Sequence, residues 1–132
     1  MKKLLITIAM AETAVGLGLV ALPSLVSSLL LGSALETAAA ITVARVAGVA
    51  LLALGAACWW ARAEAPSRAT RGLVSAMLLY NAGAAALLVV GALGAGLSSI
   101  ALWPTAILHA GLAAWCAASL VTRKTPERVL RP

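Results

Sequence analysis

The chain has 132 residues, 63% of them hydrophobic and only 11% charged, with a mean hydropathy of +1.05 and a formal net charge of +6. Soluble globular domains carry about a quarter charged residues, so this composition excludes one, and it excludes a disordered chain and a coiled coil as well. What remains is an integral membrane protein built as one domain.

A helix needs roughly 20 apolar residues to cross about 30 Å of hydrocarbon. Four stretches meet that requirement, at about 4–22, 38–61, 72–95 and 100–122. None shows the short alternating pattern of a membrane β-barrel. The expected fold is all-α: a transmembrane four-helix bundle forming one domain over residues 1–124, followed by a short polar tail over 125–132.

The first helix follows Lys2 and Lys3 and runs from Leu4 to Leu22, stopping at Pro23. Its start resembles a secretory signal, with Ala9-Met10-Ala11 as a cleavage site. Cleavage there would leave a piece shorter than the usual 15–30 residues, and the apolar run continues past it, so a retained helix is expected. The segment from Ser24 to Gly32 is apolar but too short to span, and it reads as a short interfacial helix between helices one and two. Helix two carries Arg45 and ends at Trp59 and Trp60, aromatics of the kind found at membrane interfaces. Arg62 to Arg71, with Pro66 and Ser67, reads as a turn. Helix three carries Tyr80 and Asn81, and Gly94 to Ser99 forms a second tight turn. Helix four carries Trp103, Thr105, His109, Trp115 and Cys116.

The basic residues set the orientation. Lys2 and Lys3 precede helix one, Arg62, Arg68 and Arg71 lie between helices two and three, and Arg123, Lys124, Arg128 and Arg131 follow helix four. The other two connections carry no lysine or arginine. By the positive-inside rule both termini are cytoplasmic and the number of crossings is even. Because the positive charge flanks apolar spans, it gives no reason to expect nucleic acid as a partner.

Strongly polar side chains in hydrocarbon are costly, face the bundle interior and are the first functional candidates. Each helix contributes one: Glu12, Arg45, Asn81 and His109. Counted at 1.5 Å per residue, Glu12, Asn81 and His109 fall near mid-membrane, while Arg45 lies nearer the outer face, with a side chain long enough to reach down or to snorkel outward. An ionised Glu12 needs a counter-charge, which Arg45 or a protonated His109 would supply. Two readings stand side by side. In one, the four groups form a buried site that exchanges protons or holds a polar head group. In the other, they satisfy one another and fix helix register. Tyr80, Thr105, Trp115 and Cys116 are candidates for lining such a pocket. Cys58 and Cys116 form no CxxC and read as small packing residues. A lone histidine makes a poor metal site, and a haem on His109 has no evident second ligand. No metal is therefore expected.

Small residues repeat every four positions at Ala40, Ala44 and Gly48 on helix two and at Ala110, Ala114 and Ala118 on helix four. Such stripes allow close helix approach, within one chain or between subunits.

Helix two reads Ala44-Arg45-Val46-Ala47-Gly48, then Leu51-Leu52-Ala53-Leu54-Gly55, and it follows a helix ending at Pro23 and a Leu-rich piece ending at Leu31-Gly32. Over roughly the first half of the chain this order resembles the DoxX-like group of small four-helix bacterial membrane proteins. The resemblance implies a four-helix bundle in a bacterial inner membrane and makes Arg45 the family-like residue. Some members of that group are linked to quinone-dependent redox complexes as membrane subunits. Glu12, Asn81 and His109 are not carried over from it. The small multidrug resistance transporters also place a glutamate in helix one, as Ala11-Glu12-Thr13 does here, but a buried Arg45 and a strong charge bias argue against that likeness.

The leading expectation is a non-enzymatic subunit or helper that binds lipid, quinone or a partner membrane protein, alone, as a homo-oligomer or in a larger complex. The alternative is a small proton-coupled transporter or channel in which Glu12 and His109 titrate. An enzyme acting on lipid or quinone ranks third, because no nucleophile–base pair or metal set stands at recognisable spacing.

Overall fold

A computed structural model describes residues 1–65 and 67–122. The tail expected over 125–132, the basic residues Arg123, Lys124, Arg128 and Arg131, and Pro66 lie outside the described residues. Among the described residues five helices follow one another: α1 Lys2–Ala21, α2 Pro23–Leu31, α3 Ala38–Ala61, α4 Arg68–Gly94 and α5 Leu102–Val121. Four of them, α1, α3, α4 and α5, are long and apolar enough to cross a membrane. The all-helical fold, its four spans and the short helix after the first span are as the sequence implies.

The boundaries have local causes. At the α1–α2 junction Pro23 occupies the first turn of α2, where its missing N–H costs nothing. α2 ends at Gly32, whose φ of 75° is left-handed, the terminus that glycine tolerates best. α3 begins after Thr37, whose side chain accepts from the Ala40 N–H. α4 starts four residues before the expected position, because Ser67 caps it by accepting from the Thr70 N–H at 3.1 Å. The polar first turn of α4 is helical but carries no hydropathy signal.

The bundle is two tight helix pairs joined at one end. α1 packs along α3, and α4 packs along α5, while α1 and α4 make no close backbone approach. Glycine sets the α1–α3 distance. A Cβ on Gly16 would lie 2.9 Å from the Gly48 carbonyl oxygen, and one on Gly48 would lie 2.8 Å from that of Gly16. Further along, a Cβ on Gly55 would fall 2.6 Å from Thr13 Oγ1. Backbones this close gain dispersion contacts that larger side chains forbid, and those contacts hold helices together where the hydrophobic effect between helices is absent.

The two pairs meet through a core of Leu4, Leu5, Ile8 and Ala9 of α1, Cys58 of α3, Val74 and Met77 of α4, and Leu112 and Cys116 of α5. All of these lie toward the end of the bundle that carries Lys2, Lys3, Arg62, Arg68 and Arg71. Met1 and Leu120 both pack on this core, so the two ends of the described chain share that end. At the opposite end, the facing positions of the two pairs include the small Ala11, Ala44, Ala47 and Ala84. These side chains are too short to fill the gap, and the pairs part.

α2 lies across the parting. Ser99 Oγ donates to the Leu30 carbonyl at 2.9 Å and so ties the end of α2 to the α4–α5 connection. Ser27 Oγ donates to the Ser33 carbonyl at 2.7 Å and Ser24 Oγ to the Leu35 carbonyl at 3.1 Å, folding the following loop back onto α2. A Cβ on Gly32 would collide with the Ser98 carbonyl oxygen, so glycine serves there both the left-handed backbone and the close approach.

Candidate functional site

Between the two pairs, under α2, lies a cleft of about 500 Å³. Its size falls within the range of small-molecule sites. The walls are apolar: Val15 and Leu19 from α1, Leu51 from α3, Leu87 and Leu88 from α4, and Leu108 from α5. Val26, Ser27, Leu30 and Leu31 of α2 and the following Leu35 roof it. The polar contribution comes from Glu12, Tyr80, Thr105 and His109.

Three of the four intramembrane residues singled out from the sequence come together here. Asn81 is fully buried on the α5-facing side of α4. Its Nδ2 donates to the Met77 carbonyl one turn earlier, at 2.8 Å, and its Oδ1 stands 2.8 Å from His109 Nδ1. The His109 ring meets the Tyr80 ring edge-on, with centroids 5.7 Å apart and planes at 80°. Glu12 is 3% exposed and enters the same layer from α1. The Tyr80 hydroxyl lies within reach of the Glu12 carboxyl, though the contact falls outside strict hydrogen-bond geometry. The order Glu12, Tyr80, His109, Asn81 thus runs from one helix pair to the other at the base of the cleft.

The layer also has chemical openings. Among the described residues every fully buried side-chain nitrogen or oxygen has a hydrogen-bond partner. The Glu12 carboxyl, the Tyr80 hydroxyl and His109 Nε2 close no such bond, so they are not sealed in protein and open onto the cleft that their residues line.

Arg45 is the exception. It is exposed on α3 and does not line the cleft, so the expected four-residue cluster is corrected to Glu12, Asn81 and His109 joined by Tyr80. The physical reason is rotational: α3 turns Gly48, Leu51, Gly55 and Cys58 inward, and position 45 falls on another face of that helix. The pairing of Glu12 with Arg45 is not formed, and the electrostatic objection drawn from a buried Arg45 goes with it. Of the four proposed lining residues, Tyr80 and Thr105 do line the cleft. Trp115 instead points outward and is 42% exposed, and Cys116 is buried in the core at the basic end. The Ala110, Ala114, Ala118 stripe is likewise exposed, whereas Gly48 of the α3 stripe is buried against α1.

The roof was not evident in the sequence. Ser24, Ser27 and Ser99 are ordinary turn and interface residues by type, and only their pairing with distant carbonyls reveals the cap. Among the described residues no three His, Cys, Asp or Glu side chains gather as a metal ion requires.

Comparison of the chain with family models, with curated proteins and with solved structures gives no match. The cleft and its chemistry therefore carry the functional reading.

Proposed function

We propose that this four-span protein is a non-enzymatic amphiphile-binding subunit or helper. The apolar part of a lipid or quinone lies between the helix pairs, and its head group rests on Glu12, Tyr80 and His109. The observation that carries the proposal is the coincidence of an apolar cleft of about 500 Å³ with a few polar side chains, Glu12, Tyr80, Thr105 and His109, in its lining. A polar atom left open at mid-membrane is costly unless something bonds it, and a head group arriving with its own chain meets both requirements. The basic end, with Lys2, Lys3, Arg62, Arg68 and Arg71, faces the cytoplasm in this reading. The membrane is the bacterial inner membrane, as the DoxX-like order of α1, α2 and Arg45 on α3 suggests.

Purification under mild conditions followed by extraction and mass analysis tests the proposal. Wild type is expected to carry a lipid or quinone in near-stoichiometric amount. Ala84→Phe, which fills the cleft from α4, is expected to lose it while remaining helical. A clean wild-type protein, or equal carriage by both, overturns the reading.

One observation favours a second reading. Glu12 and His109 share one layer with Tyr80 between them, and Arg45 places no fixed positive charge there, as a proton-coupled transporter would require. Flux in proteoliposomes should then fall in Glu12→Gln. Absent or unchanged flux removes this reading and leaves the binding role standing.

A further inference from the structure

The hydrogen-bond order at the base of the cleft determines what kind of head group it accepts, an inference that rests on the cleft being a binding site. It starts from the Met77 carbonyl. A backbone carbonyl only accepts, so the atom of Asn81 that faces it at 2.8 Å must be the NH₂ nitrogen, Nδ2. This fixes the carboxamide and leaves Oδ1, an acceptor without a proton, against His109 Nδ1 at 2.8 Å. His109 Nδ1 must therefore carry the proton. In the neutral imidazole only one nitrogen does so, and the lone pair is left on Nε2. Among the described residues Nε2 has no partner, and His109 lines the cleft. Asn81, buried and out of reach of any ligand, acts as a positioning residue that sets the tautomer and so the polarity of the site.

We infer that the cleft selects amphiphiles whose head group donates a hydrogen bond, an alcohol or phenolic hydroxyl, to His109 Nε2, in preference to head groups that only accept, such as a quinone carbonyl or an ether. Tyr80 and Thr105 are neutral to the choice, since their hydroxyls can accept from a head group or donate to it, so the preference rests on Nε2. A reduced, hydroxyl-bearing quinol head fits this arrangement, and its oxidised form leaves Nε2 unpaired.

The test uses the full-length protein in nanodiscs with ¹⁵N-labelled histidine. As this is the only histidine in the chain, its two ring nitrogens are read without assignment. The expected spectrum shows Nδ1 protonated and Nε2 bare, and Asn81→Asp, which keeps an acceptor oxygen, is expected to preserve it. Asn81→Leu is expected to shift protonation toward Nε2. A long-chain alkylphenol should perturb the Nε2 resonance and bind about tenfold more tightly than its methyl ether, the order of effect of one hydrogen bond. A long-chain primary alcohol as a third probe separates a phenol from an aliphatic hydroxyl as the source. If Nε2 carries the proton in wild type, or if both nitrogens do, the tautomer assignment is wrong. If the tautomer is as stated but ether and phenol bind equally, the selectivity is wrong while the cleft remains a site. If no probe binds, the binding reading itself falls, and the inference with it.

Discussion

His109 and Asn81, 28 residues apart in the chain, meet through Nδ1 and Oδ1 at 2.8 Å and join α5 to α4 inside an apolar bundle. Met77 completes the unit by accepting from the Asn81 amide. A side chain that satisfies a helix carbonyl on one side and orients an imidazole on the other is structural, and under the proposed function it also sets the polarity of the site. Under the proposed function the two readings of the polar residues are not exclusive: Asn81 serves the structural one, and Glu12, Tyr80 and the open side of His109 the other.

Asn81→Leu keeps the branching and the number of side-chain heavy atoms and leaves His109 Nδ1 without its acceptor. Hydrogen bonds between membrane helices are worth about 0.6 kcal/mol on average, with the best near 1.7, and a stranded polar group adds its own cost. A loss of about 1–2 kcal/mol in unfolding free energy is expected. Ala82→Leu, one residue along on the exposed face, should change it by no more than about 0.5 kcal/mol. Denaturation in mixed micelles compares the two.

The glycines of the bundle divide by what surrounds them. Gly16→Ala and Gly48→Ala place a methyl group within 3 Å of a backbone oxygen on the facing helix. Backbone cannot swing aside as a side chain does, so each should cost about 1–3 kcal/mol. Gly83 and Gly111 have nothing within 4 Å of the added atom, and alanine there should be neutral or stabilising by up to about 1 kcal/mol. Thermal unfolding of the four variants is expected to show two populations, not a graded series.

The roof of the cleft can be loosened from either side. Gly32→Ala meets both an unfavourable backbone region and the Ser98 carbonyl, and Ser99→Ala removes the donor to Leu30. Both should leave the core at the basic end intact and raise the dissociation rate of a bound amphiphile. Ser99→Ala, the milder change, is expected to cost about 1 kcal/mol or less. Ligand release followed by fluorescence, alongside unchanged helicity, checks this.

Arg45→Gln is expected to leave the cleft unaffected. Arg45 is exposed and outside the cleft lining, so amphiphile binding and stability in detergent should match wild type to within about 0.5 kcal/mol. A large loss of binding would place the arginine back in the site.

Much of the fold was legible because membrane helices obey a single strong rule, that about 20 apolar residues make a span. The α3 bounds, 38–61, follow directly from it. The start of α4 did not, since its first turn is set by a serine cap that hydropathy ignores. Glu12, Asn81 and His109 were readable as inward because hydrocarbon penalises them. The rotation of each helix was harder to read. When every face is apolar, neighbours such as Trp115 and Cys116 give no sign of which one turns inward. Arg45 escaped the inward rule because a long side chain reaches an interface from a position that a glutamate or asparagine does not. Tyr80 was readable as a pocket-lining candidate, and only the ring contact with His109 joins it to the polar layer.

The most direct measurement is photolabelling of the membrane-embedded protein with a diazirine-bearing alkylphenol, followed by mapping of the modified residues. Labels are predicted on the cleft walls, at Val15 and Leu19 of α1, Leu51 of α3 and Leu88 of α4, with protection by unlabelled phenol. Saturable labelling confined to the outward residues Val43, Val46, Leu79 and Leu93, with the cleft walls unmarked, would contradict a binding site between the helix pairs.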